Sequence, residues 1–299
     1  MSHVIAAIRL LLFVLWTLLI IPPYALVMAV GGPYRSMARF YWGTVCRITN
    51  TQVVVRGALT DKRPLVMVAN HTSYMDIVVL GSVVNGAFVA KSEVANWPGF
   101  GVIAKLGRTV FVDRKRSAAL KQRNEIVRRL VTVREPLILF PEGTSNDGNR
   151  VLPFKTTLFN VAEKPVEGEE VWVQPVSIAY TRVDGLPMGY GWRPFYAWYG
   201  DMDLASHLWE LLGFGRVTVE VEFHEPVTAA PFAHRRDLSR WCEEAVRNGV
   251  SRALHGRDDP PPPPLPGKEP VTDTTPSTAA DAEPAAAAVG AARSPDAVT

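Results

Sequence analysis

The sequence predicts an α/β domain, a central sheet flanked by helices, carried behind an N-terminal membrane-embedded helical segment. Three observations predict it. Between about residues 50 and 256 strand-like apolar runs alternate with helical stretches, residues 4 to 30 are apolar with Arg9 as their one charge, and from Asp258 the chain turns to proline, alanine and scattered charge. Strands separated by helices argue an α/β fold, and 47% apolar residues in a chain of 299 supply the core such a domain needs. The boundaries follow: an anchor over 1–48, the domain over 49–256 and a disordered tail over 257–299.

Taking the elements in order, "VIAAIRLLLFVLWTLLIIPPYALVMAV" (4–30) exceeds the roughly 20 apolar residues that cross a bilayer. It is longer than the apolar part of a signal peptide, and no small-x-small cleavage site follows it. Pro22-Pro23 splits the run, so it reads either as one span or as two short helices dipping into one leaflet. Arg35, Arg39 and Arg47 come next, which places the rest of the chain on the cytoplasmic face of the inner membrane. Strand-like runs are "TQVVVRG", "PLVMVAN", "GAFVAK", "RTVFVD", "PLILF", "VWVQPVSIAY", "PFYAWYG" and "VTVEVEFHEPV". Helices are expected after Ser73, from Ser117 to Val133, within 198–215, and from Asp237 to Leu254, where Leu238, Trp241, Cys242, Ala245 and Val246 fall at helical spacing. The tail "DDPPPPPLPGKEP" and its continuation cannot bury enough apolar surface to order themselves.

Charge is uneven along the chain. From Asp258 to Thr299 seven acids face Lys268 and Arg293, a net of −5, so the formal +3 of the whole chain leaves +8 on the body. A basic body suits an anionic partner such as a phospholipid surface. Nucleic acid is disfavoured, because aromatic residues are not interleaved with the basic run after Arg114 and no helix-turn-helix or zinc pattern occurs. Cys46 and Cys242 make no disulfide framework and sit at no metal-ligand spacing, which argues a reducing compartment and no metal or other cofactor.

The chemistry concentrates in "NHTSYMD", residues 70–76, a polar break between two apolar runs. One reading is a helix start, with Ser73 as N-cap and Asp76 in the first turn. That accounts for Asp76 and leaves His71 over. His71 ends a buried-looking strand at a strand-to-helix turn, the place where α/β folds meet ligands. An imidazole there serves as general base, and a carboxylate on the next helix holds its other nitrogen. No G-x-S-x-G elbow accompanies Ser73, so it is read as a cap and not a nucleophile.

"NHTSYMD" is similar to the N-H-x4-D motif of the lysophospholipid (1-acyl-glycerol-3-phosphate) acyltransferase family. "GRTVFVDR" (107–114), "FPEGTS" (140–145) and "VQPV" (173–176) resemble that family's later blocks in the family's order, over roughly residues 50 to 225. The resemblance implies a mixed central sheet flanked by helices, and a membrane-bound O-acyltransferase. A fatty acyl group would pass from acyl carrier protein or coenzyme A, as co-substrate, to the free hydroxyl of a lysolipid, with 1-acyl-glycerol-3-phosphate giving phosphatidic acid as the first expectation. Lyso-ornithine lipid, or another phosphate-free lysolipid, is the alternative acceptor. A non-catalytic membrane-binding protein is the reading from a different class. The resemblance makes His71 the base and Asp76 its orienting partner, and puts Arg114, Glu142, Gly143, Thr144 and Lys155 at the acceptor site. Two departures bear on the head group: Ser145 stands where the pattern has arginine, and Thr156-Thr157 where it has a small residue after the lysine. The VQPV block reads as strand packing. An acyl site also implies an apolar groove, expected along the strands and opening toward the N-terminal segment.

Overall fold

In the computed structural model, which describes residues 2–97, 99–112, 119–163, 165–166, 168–256 and 265–266, the chain opens with two helices, α1 (His3–Ala29) and α2 (Tyr34–Ile48). Strands β1 (Thr51–Arg56) and β2 (Leu65–Ala69) follow, then α3 (Met75–Val83), β3 (Ala87–Lys91), α4 (Phe100–Leu106), β4 (Val110–Val112), α5 (Ala119–Thr132) and β5 (Leu137–Leu139). The second half holds β6 (Trp172–Val183), β7 (Leu186–Pro187), α6 (Arg193–Tyr196), α7 (Leu204–Leu212), β8 (Val217–Phe223) and α8 (Arg235–His255).

Among the described residues the strands form one sheet in the order β1-β8-β6-β2-β5-β3-β4, with β7 paired to β6. The sheet is mixed. β8 runs antiparallel to β6, while β1 with β8 and the β6-β2-β5-β3-β4 half pair parallel. Residues 65–69, "LVMVA", are apolar without alternation because both sides of β2 are covered. Leu65, Met67 and Ala69 face one core with Val45, Val79, Leu80 and Leu211, from α2, α3 and α7. Val66 and Val68 face the other, with Leu130 of α5 and Leu238, Trp241, Cys242 and Val246 of α8. β8 does alternate, Val217, Val219, Val221 and Phe223 being buried and the residues between them half-buried. Gln174 of the VQPV block packs within β6: its amide donates to the Ala58 and His224 carbonyls and accepts from Thr60 N–H.

Two expectations are settled by packing. The apolar N-terminus is one continuous helix through Pro22 and Pro23. The prolines remove the N–H donors that would meet the Leu18 and Leu19 carbonyls, but the helix is tied down on both sides of that gap. Thr17 Oγ1 pairs with Tyr41 OH at 2.9 Å, and Tyr24 OH donates to Leu106 O at 3.0 Å. Near its start Arg9 donates to the Leu212 and Phe214 carbonyls. α1 therefore lies along the domain over most of its length, with Leu11, Leu15, Leu18, Leu19 and Leu26 exposed on its far side. The second difference is "PFYAWYG", expected as a strand from its aromatic content. It forms the short helix α6 and a following loop, because Pro194 has no N–H for a ladder and Tyr196 buries its ring against Tyr180, centroids 4.8 Å apart.

Residues 1–48, expected as an anchor, form α1 and α2, and α2 contributes Tyr41, Val45 and Cys46 to the core. All of 257–299 except 265–266 falls outside the described residues.

Candidate active site

β2 ends and α3 begins within a few residues, and this turn carries the site. Asn70 closes the strand: its side-chain amide donates to Ile178 O and accepts from Ile178 N–H, both at 2.8 Å, as a further strand residue would. His71 follows with its Nδ1 2.8 Å from Asp76 Oδ2. The same oxygen accepts the backbone N–H groups of Thr72 (2.7 Å) and Ser73 (3.0 Å), and Oδ1 accepts the Tyr180 hydroxyl at 2.6 Å. The Asp76 carboxylate is wholly buried and surrounded by four donors, the number its lone pairs accommodate. Because all four donate to it, Nδ1 carries the hydrogen and the lone pair of His71 sits on Nε2. The ring lies flat on Phe140, centroids 4.2 Å apart and planes 18° apart, while its side chain stays 20% exposed. A base with its free nitrogen toward solvent and its plane fixed is the outcome.

The Ser73 hydroxyl caps the start of α3 as expected. It accepts from Met75 N–H at 3.4 Å, while Tyr74 already has helical backbone angles and makes no side-chain cap bond. Asp76 draws the Thr72 and Ser73 N–H groups to its own carboxylate, so the chain turns around that group as the helix starts.

The "FPEGTSNDGN" loop after β5 closes the other side. Glu142 is buried, with Oε1 accepting His71 N–H at 3.0 Å and Oε2 accepting Asn146 Nδ2 at 2.7 Å. Asn146 returns to His71 O through both its backbone and side-chain N–H groups. Burial pushes the Glu142 carboxyl up to about 8, against these donors and Leu152 N–H. Glu142 thus braces the His71 backbone, with its oxygens turned inward. Gly143 has φ +68°, and a side chain there would run into Lys155, which accounts for the glycine. Lys155 and Thr144 are exposed beside it, so the structure gathers Glu142, Gly143, Thr144 and Lys155 around one loop. Arg114 lies outside the described residues.

Tyr180, Asn70, Asn146 and Phe140 were not singled out from sequence as site residues. Tyr180 had a signal: it shares a face of β6 with Val176 and Ile178, and a buried tyrosine hydroxyl at the end of such a stripe requires an acceptor. The other buried histidines have structural partners. His207 Nδ1 meets Tyr74 OH at 3.0 Å, and His224 Nε2 meets Ser177 Oγ at 2.6 Å. Ser177 donates its hydrogen to Val246 O beneath α8, and burial lowers His224 to about 4, so this pair is a core contact and no nucleophile. An apolar cleft lies between helices α1, α2 and α4, lined by Ile20, Tyr24, Trp42, Ile103 and Leu106, and not along the strands.

The site is thus a mixed α/β sheet that presents a histidine with its orienting carboxylate at a strand-to-helix turn. Residues 47–179 match the protein-family model described as Acyltransferase. The lyso-ornithine lipid O-acyltransferase of Brucella abortus (strain 2308) is 44% identical over 241 residues, 79% of this chain and 90% of that one. The 1-acyl-sn-glycerol-3-phosphate acyltransferase of Neisseria gonorrhoeae is 30% identical over 198 residues, 66% of this chain and 74% of the relative. The crystal structure of the 1-acyl-sn-glycerophosphate acyltransferase PlsC from Thermotoga maritima superposes with a TM-score of 0.54 at 24% identity, covering 83% of this chain and 97% of that chain, a likeness of fold. The chain belongs to the acyltransferase family.

Proposed function

We propose that this chain is a membrane-associated lyso-ornithine lipid O-acyltransferase. The contact between His71 Nδ1 and Asp76 at 2.8 Å carries the chemistry. The free Nε2 takes the proton of the lysolipid hydroxyl as its oxygen adds to the carbonyl of an acyl thioester, of acyl carrier protein or coenzyme A. Asp76 holds the tautomer and stabilises the imidazolium. The tetrahedral intermediate collapses, the C–S bond breaks, and the imidazolium returns its proton to the departing thiolate. No acyl-enzyme is formed, in keeping with the lack of an exposed serine nucleophile at the motif.

Two observations favour the ornithine acceptor over 1-acyl-glycerol-3-phosphate. Ser145 leaves the loop without the arginine that suits a phosphate monoester, and the Brucella relative carries the lyso-ornithine name at the higher identity. The exposed apolar side of α1 supports attachment by lying in one leaflet, with the domain on the cytoplasmic face. Purified protein offered labelled acyl donor with lyso-ornithine lipid and with lysophosphatidate tests the reading. Product from the ornithine acceptor, absent with His71→Ala, is expected; product from lysophosphatidate alone would reverse the choice of acceptor.

A further inference from the structure

Arg193 opens α6, yet its side chain is 8% exposed. Its Nη1 donates to Asn149 Oδ1 at 2.7 Å, and its Nε is buried without a partner among the described residues. A guanidinium has five N–H donors; burial disfavours the Arg193 charge and the Asp147 carboxylate, joined to it through Asn149, favours it, so a further anion at its open donors would be stabilising. No ion pair occurs for Arg193 among the described residues.

Its loop cluster is joined to the segment that follows His71. Gly148, at φ +75°, sits where an added Cβ would lie 3.0 Å from Thr72 Cγ2 and 3.6 Å from Arg193 Cβ. Trp198 N–H, just after α6, donates to Thr72 O at 3.1 Å. Gly148 thus lies close to both Arg193 and Thr72, the residue that follows His71. The Asn149 amide accepts from Arg193 on one side and donates to Asp147 Oδ2 at 3.2 Å on the other. One fixed amide therefore holds a cation and an anion apart in the same loop cluster. Around them Tyr190, Trp192 and Phe195 are 73%, 58% and 52% exposed, the residue types that sit at a membrane interface, from which a lipid acceptor arrives.

We propose that Arg193 and Asp147 form the binding site for a zwitterionic amino-acid head group of the acceptor, Arg193 taking its carboxylate and Asp147 its ammonium. An ornithine acylated on its α-amine presents those two charges. The inference rests on the ornithine reading of the acceptor and deepens it. It also accounts for Ser145: the cation comes from α6 and not from the loop, and Asp147 two residues on repels a phosphate dianion.

The test compares three acceptors on the purified full-length protein: lyso-ornithine lipid, its putrescine counterpart, which keeps the hydroxyl, the amide and the ammonium but lacks the carboxylate, and lysophosphatidate. The wild type should lose about 10- to 100-fold in kcat/KM on passing to the putrescine lipid, mostly through KM. Arg193→Gln should lose the same on lyso-ornithine lipid and nothing further on the putrescine lipid, with the KM of the acyl donor unchanged. Asp147→Asn should weaken lyso-ornithine lipid and leave lysophosphatidate unchanged or improved. The first comparison uses no variant, so it stands even where Arg193→Gln fails to fold. Equal use of the two amide lipids by the wild type overturns the site, as does a raised donor KM in Arg193→Gln, which would assign the cation to a donor phosphate. Turnover of lysophosphatidate without lyso-ornithine lipid overturns the acceptor reading itself, a different result from turnover of lyso-ornithine lipid that ignores its carboxylate.

Discussion

Tyr180→Phe removes one oxygen atom from beneath the catalytic pair. That hydroxyl donates to Asp76 Oδ1 at 2.6 Å, while Oδ2 keeps His71, Thr72 and Ser73. A hydrogen bond to a charged group contributes about 1.5–3 kcal/mol, and the oxygen left behind is buried. A loss of that size in unfolding free energy is therefore expected. Catalysis should respond in a particular direction. With one donor fewer, Asp76 carries more uncompensated negative charge and stabilises positive charge on the His71 ring more strongly. The acid limb of the pH dependence of kcat/KM should move to higher pH, with activity below that limb falling and activity well above it nearly preserved. A pH-rate profile of the purified variant beside the wild type, with thermal melting of both, checks it. A melting temperature that drops while the acid limb stays fixed would refute the coupling and leave Tyr180 as packing. A loss of several orders of magnitude at every pH would place the hydroxyl in contact with the reactants.

Other outcomes follow from the same geometry. His71→Ala should reduce acyl transfer by about 10²–10⁴-fold or more, and Asp76→Asn should do comparably by losing the tautomer control, with membrane binding unchanged in flotation assays. Glu142→Gln should change how stability depends on pH. A carboxyl raised from 4.5 to about 8 in the fold favours the folded state most below 4.5, and that contribution fades as pH rises to 8, at about 1.4 kcal/mol per unit and about 5 kcal/mol at most. The wild type should therefore lose melting temperature relative to Glu142→Gln between pH 5 and 8, and parallel curves would contradict the buried-carboxyl account. Asn70→Ala leaves both Ile178 backbone groups buried and unpaired, so it should destabilise by about 2–4 kcal/mol in denaturant unfolding.

Much of this was legible in the sequence, and the reason is local. The unbroken "LVMVA" run marks a strand covered on two faces, and His71 and Asp76 lie on one short turn, so their pairing depends on few intervening dihedrals. The helical stripe of Leu238, Trp241, Cys242, Ala245 and Val246 is buried as its spacing requires. Ser145, against the family pattern, already brought a phosphate-free acceptor into consideration beside 1-acyl-glycerol-3-phosphate. What the tertiary structure decided are meetings between distant segments: Tyr180 and Asp76 are separated by 104 positions, and Asn149 and Arg193 by 44. No spacing rule reaches that far, because such contacts depend on strand order and helix docking and not on backbone periodicity. For the same reason the prolines of α1 were undecided and the aromatics of "PFYAWYG" misled. Local preference left a break open in the one and argued a strand in the other, and the burial of neighbouring side chains decided both.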